Sequence, residues 1–200
     1  MNIIYRNTTA LEAIARKTLN SFDKSLISGT PTAIPIEELA EHLGLNIEYQ
    51  CIRKTGSILG ELVYEKTLVP VYFKDIKSYD LIEVESQTII LDESLLRGRN
   101  DGRLRFTCAH EVAHWILHKE YYAETGQAAA QGNPQKSSED NPTIERQANQ
   151  LATMLLMPTA QVKKAFYSVR NLPDTVGLLS ERFEVSKESM KYFMNEHNLA

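Results

Sequence analysis

The sequence predicts an α+β fold: a small, mostly antiparallel sheet packed on two core helices, with further helices toward the C-terminus. Three observations carry this expectation. Apolar residues recur at three- and four-residue spacing in the first and last thirds of the chain, as on the buried stripe of a helix. Between residues 47 and 91 the period shortens to two, and β-branched and aromatic residues replace the helical pattern. The apolar share, 42% of 200 residues, is enough for one sizeable core, so sheet and helices should pack as two layers.

Each element has its own signal. Thr9 followed by Glu12 has the form of a capping box, and Leu11, Ile14, Ala15, Thr18, Leu19 and Phe22 mark one face of a first helix. Pro35 to Leu43 reads as a second, shorter helix closed by Gly44. Ile47, Tyr49 and Cys51 then alternate, Gly56 and Gly60 punctuate turns, and strands are expected over 62–73 and 86–91. A buried helix follows, with Phe106, Ala109, Val112, Ala113, Ile116 and Leu117 apolar. Another starts near Glu145, carries Ala148, Leu151, Ala152, Leu155 and Leu156, and ends at Pro158. The segment from Lys119 to Thr143 holds Gly126, Gly132, Pro134 and Pro142 and reads as a flexible loop, either a substrate-selecting lid or an unconstrained insertion.

The run His110-Glu-Val-Ala-His114 carries the chemistry. Helical spacing puts His110 and His114 on one face, where two imidazoles can hold one metal ion, and it offsets Glu111 by about 100 degrees, beside the clamp, where it can take a proton from an attacking water. A catalytic zinc takes three protein ligands. Glu145 is the candidate for the third, with Asn149 one turn on as a supporting partner; the alternative is that Glu145 only occupies a first helical turn. His118 continues the same face, but three positions over two turns span about 12 Å of axis, too far to converge on one ion. It is expected to be a packed histidine. Glu111-Val-Ala-His114 also matches half of a di-iron motif, and the chain holds no second half.

Composition excludes several classes. Net charge is −4 with Lys and Arg scattered, so no basic patch for nucleic acid is expected. Cys51 and Cys108 are too few for a disulfide framework, and neither a secretory leader nor a membrane-length apolar run is visible; a cytoplasmic protein fits. Leu178 to Met194 has a helix-turn-helix outline, one helix ending at Phe183 and the next capped by Ser186. Its second helix carries the balanced set Lys187, Glu188, Lys191 and Glu196. Val176, Leu179, Phe183, Val185, Met190 and Phe193 are therefore expected to close the core rather than present a DNA-reading face.

The stretch Arg105 to His118, with Glu145-x-x-Ala-Asn149 and Leu155-Leu-Met-Pro158, resembles the ImmA/IrrE family of bacterial metallopeptidases. Ile34 to Ile47 and Thr88 to Ser94 are similar to its upstream elements. The resemblance implies a zincin-like site with one zinc ion on His110, His114 and Glu145, and Glu111 as general base. Length and composition make a single metallopeptidase domain over 1–200 the simplest count: an N-terminal helix within 1–30, a catalytic core over 31–170 and a helical segment over 171–200, with the resemblance covering most of residues 30–195. The resemblance further implies cleavage of a helix-turn-helix repressor, relieving transcription in a stress response or mobile element. The rival reading is a module that binds such a repressor without cutting it. Some longer members carry a C-terminal sensor domain; this sequence ends at Ala200, so sensing is expected elsewhere. Tyr121, Tyr122, Arg146 and His197 are candidates to stabilise the oxyanion, and the 86–91 strand is a candidate edge for extended substrate.

Overall fold

The computed structural model describes residues 4–97, 101–125 and 142–199. Three helices, α1 (Thr8–Phe22), α2 (Ser25–Ser28) and α3 (Ile36–His42), lead into strands β1 (Asn46–Gln50), β2 (Gly60–Val63), β3 (Thr67–Phe73), β4 (Ser78–Val84) and β5 (Thr88–Asp92). Helices α4 (Asp101–Thr125), α5 (Pro142–Leu156), α6 (Thr159–Val169), α7 (Thr175–Phe183) and α8 (Lys187–Glu196) follow. The fold is α+β, as expected.

Helix α1 buries Leu11, Ala15 and Leu19. Its start is not the Thr9–Glu12 capping box. Asn7 is the cap, its Oδ1 accepting the Ala10 amide at 2.9 Å, and Glu12 instead accepts the Thr159 hydroxyl at 2.9 Å. Asn caps as well as Thr does, so an earlier competitor takes the position. Helix α3 ends in a Schellman turn: Leu45 N–H reaches the Ala40 carbonyl at 3.0 Å and Gly44 N–H the Glu41 carbonyl at 2.9 Å, with Gly44 at φ +81°.

The strands form two small sheets. In the first, β5 lies between β1, to which it is parallel, and β2, to which it is antiparallel; β3 and β4 form a separate antiparallel hairpin. The strand expected over 86–91 is therefore not an edge. Residues 88–92 lie between two strands and are buried at every position, and among the described residues the free sheet edge beside α4 is that of β2. Ile89 and Leu91 face the main core with Leu62, while Ile90 joins Val63, Val69, Val84 and Ile52 in a small second core under the hairpin.

Helix α4 does not stop at Lys119. No breaker occurs before Gly126, and the buried Tyr122 ring sits 4.9 Å from that of Tyr64, so 119–125 stay helical; 142–143 begin α5, and the rest of the expected loop lies outside the described residues. At the other end, Ser186 Oγ caps α8 by accepting the Ser189 amide at 3.0 Å. Leu179, Phe183, Met190 and Phe193 are buried in the main core. Cys51 and Cys108 are both free thiols. No described helix is long and apolar enough to cross a membrane.

Candidate metal centre

Helices α4 and α5 share the main core through Ala109, Ala113 and Leu117 on one and Ala148, Leu151 and Leu155 on the other. Their packing brings Glu145 of α5 to the paired imidazoles of His110 and His114 on α4. His110 Nε2 and His114 Nε2 are 2.9 Å apart; Glu145 Oε2 lies 3.3 Å from the first and Oε1 3.2 Å from the second. Ligands about 2.0–2.1 Å from a tetrahedral zinc stand roughly 3.3 Å from one another, so the donor set has the spacing such an ion needs. Two imidazole nitrogens facing at 2.9 Å cannot both present lone pairs without a proton or a cation between them, and this also fits a cation site. Of all the described His, Cys, Asp and Glu residues, only His110, His114 and Glu145 form a group that could hold a metal ion. The His114 side chain is 5% exposed, that of His110 18% and that of Glu145 34%, so the group opens to solvent on the Glu145 side.

Neighbours fix the rings. Asn149 Oδ1 lies 3.0 Å from His110 Nδ1; accepting that N–H leaves the Nε2 lone pair aimed at the group. His118, 2% exposed, places its Nδ1 3.2 Å from His114 Nδ1 and is positioned to accept the N–H there. Burial, with His114 and Arg6 adding, drives the His118 pKa down to about 3, which keeps it neutral and able to accept. Burial pulls His110 toward the neutral form, but Glu145, Glu111 and Asn149 outweigh it and raise its pKa. Burial works against ionised Glu145 as well, yet the two imidazoles hold its carboxyl well below the usual carboxylate range. The site attracts positive charge.

Glu111 is buried on the same helix, against the start of β2. A Cβ at Gly60 would stand 2.7 Å from Thr107 Cγ2 and 2.8 Å from Glu111 Oε1, so only glycine lets the strand approach this closely. In the sequence Gly60 reads as a turn; its position at the head of an apolar strand was the available signal. Tyr64 is a second residue that periodicity does not single out. It is buried, its hydroxyl has no hydrogen-bond partner among the described residues, and its ring packs 5.9 Å from Trp115 and 4.9 Å from Tyr122. Burial raises its phenol well above the ordinary value, with Tyr122, Glu111 and Glu145 adding. Among the expected oxyanion donors, the Arg146 guanidinium lies 5.5 Å over the Tyr5 ring, and Tyr122 is packed on Tyr64 and edge-on to Tyr121. His197 lies elsewhere: it packs 4.2 Å from Phe193, and its charged neighbours are Lys163, Glu12 and Glu196.

The family model of the IrrE N-terminal-like domain, a peptidase family, matches residues 69–195, which include both helices of this centre. A solved structure titled "Mycobacterium tuberculosis transcriptional regulator" is 15% identical, with a TM-score of 0.50 over 92% of this chain and 55% of that one. That likeness is one of fold, and this chain spans about half the length of that protein. No curated protein matches.

Proposed function

Taking as premise that the chain belongs to the IrrE N-terminal-like peptidase family, we propose that it is a zinc-dependent endopeptidase acting on a protein substrate. The observation that carries the reading is the convergence of His110, His114 and Glu145 on one point beside Glu111. A zinc ion held by His110, His114 and Glu145 would supply Lewis acidity toward a peptide carbonyl and an attacking water. The chain's own groups do the rest. Asn149 and His118 hold the two imidazoles in the ligating tautomer, and Glu111 takes one proton from water as oxygen bonds to the carbonyl carbon. The carbon–nitrogen bond then breaks, and Glu111 returns the proton to the leaving amine. The edge of β2, unpaired among the described residues and packed on Glu111 through Gly60, offers backbone groups along which an extended substrate can align.

Family resemblance suggests the substrate class, a helix-turn-helix repressor in the cytoplasm whose cleavage relieves transcription in a stress response or mobile element. The test is incubation of a candidate repressor with zinc-loaded protein, with and without chelator, beside the Glu111→Gln variant. Fragments that vanish with chelator and are absent in a variant still holding zinc support the reading. Retained cleavage by Glu111→Gln overturns the base assignment. Tight binding of the repressor without fragments favours the non-cleaving alternative.

A further inference from the structure

The hairpin of β3 and β4 has two outer edges, and they differ. Along β3, Leu68, Pro70 and Tyr72 turn their backbone groups away from β4: Tyr72 N–H donates to the Cys51 carbonyl at 2.7 Å, the Pro70 carbonyl accepts from Arg53 Nη1 at 3.2 Å, and Pro70 has no N–H. That edge is occupied. The residues opposite them, Glu83, Leu81 and Tyr79, therefore turn their own N–H and C=O groups outward along β4. Among the described residues no strand pairs with this second edge. Leu81 N–H meets only the Asp80 carboxylate at 2.8 Å, and the Tyr79 carbonyl only the Ser78 hydroxyl at 3.4 Å, both exposed side chains of the same strand.

Apolar side chains stand where an edge strand ordinarily carries charge. Leu81 is 57% exposed and Tyr79 47%, with Leu68 56% exposed on the same face of the ribbon. Such an edge is a template for another strand. The charges at its two ends indicate which one. Lys77, outside every ion pair among the described residues, comes just before β4, Glu85 just after it, and each lies four residues from Leu81. Lys66 holds Glu83 and Glu85 at 2.8 and 2.7 Å but offsets only one of the two charges. A copy of the strand running antiparallel over Leu81 sets Lys77 against Glu85 twice, Tyr79 against Glu83, and Leu81 against itself, with the outward backbone groups of Tyr79, Leu81 and Glu83 facing one another. The adjacent registers are worse. An axis at Asp80 opposes two carboxylates, and one at Ile82 sets Leu81 against Glu83.

We propose that β4 pairs with β4 of a second copy of this chain, antiparallel about a two-fold axis at Leu81, joining the two hairpins into one four-stranded sheet. The hairpin packs on Ile90, on the face of β5 turned away from Ile89, Leu91 and the helices, so the pairing leaves each metal centre uncovered. The inference does not rest on the peptidase reading, because its readout is molecular mass.

Sedimentation equilibrium of the full chain at low salt, from micromolar to about millimolar concentration, tests it. The expected result is a reversible monomer–dimer equilibrium with a dissociation constant of about 10–300 µM, as suits a contact smaller than about 1,200 Å². Leu81→Lys changes an exposed side chain, so the melting curve should stay that of the parent, and it should weaken the dimer at least about tenfold. Lys77→Glu and Glu85→Lys should each weaken it about three- to tenfold, and the two changes together should restore a dimer tighter than either single variant forms. A chain that stays monomeric up to about millimolar concentration overturns the proposal and leaves the edge to a different partner. A dimer insensitive to Leu81→Lys overturns it, as does a double charge swap no tighter than the single variants.

Discussion

Replacing His118 by Phe keeps an aromatic ring in place and removes the acceptor 3.2 Å from His114 Nδ1. For His114 to offer its Nε2 lone pair to a cation, Nδ1 must carry the proton, and with the side chain only 5% exposed that N–H would have no partner. An unsatisfied buried donor costs about 1–3 kcal/mol. The metal-free protein escapes the cost by moving the proton to Nε2, where Glu145 Oε1 waits 3.2 Å away, so the penalty falls on the metal-bound state alone. At about 1.4 kcal/mol per tenfold, zinc affinity should drop roughly 5- to 150-fold, within the range typical of residues that orient a ligand. Competition against a chromophoric chelator measures it. Affinity within twofold of the parent would refute the orienting role. A loss as large as that of Glu145→Ala would make His118 a ligand and refute the geometry argued here.

Three further outcomes are expected. Gly60→Ala forces Thr107 and Glu111 back from contacts of 2.7 and 2.8 Å; displacing the base by a large fraction of an ångström should lower kcat by up to about a hundredfold while metal analysis shows zinc retained, and an unchanged kcat would contradict the placement of Glu111. Glu111→Gln should bind zinc like the parent and lose cleavage by at least about a hundredfold, read from fragment yield and metal content together. Burial raises the Glu61 carboxyl from 4.5 to about 7, with Arg53 opposing and Glu111 adding. The folded chain therefore holds more protons than the unfolded one between those values, and stability falls as pH rises through that window by about 3 kcal/mol. Urea unfolding from pH 4 to 8 should show Glu61→Gln gaining on the parent across this interval; a constant difference would refute the assignment.

The helices and the pairing of His110 with His114 were readable because both rest on local periodicity, and the same four-residue step links Glu145 to Asn149; that Glu145 meets the imidazoles depends on the packing of α5 on α4, which no local spacing encodes and which only the family resemblance implied. What escaped reading depends on partners remote in sequence. Strand β4 is exposed at most positions and carries Ser78, Asp80 and Glu83, so it lacks the alternation that marks a half-buried strand. The parallel pairing of β1 with β5 joins residues more than forty apart, and nothing in either strand alone encodes it. Burial of Glu61 and the tight fit of Gly60 on Glu111 exist only once β2 meets its neighbours.

The hairpin of β3 and β4 rests its Val69 and Val84 on only three buried apolar side chains, Ile52, Val63 and Ile90, whereas β5 is covered on both faces. Such a molecule comes apart in stages. Backbone amides of the hairpin should exchange with solvent deuterium through local opening while those of β5 wait for global unfolding. Sequence change can then accumulate in the outer ribbon without disturbing the helices that carry His110, His114 and Glu145.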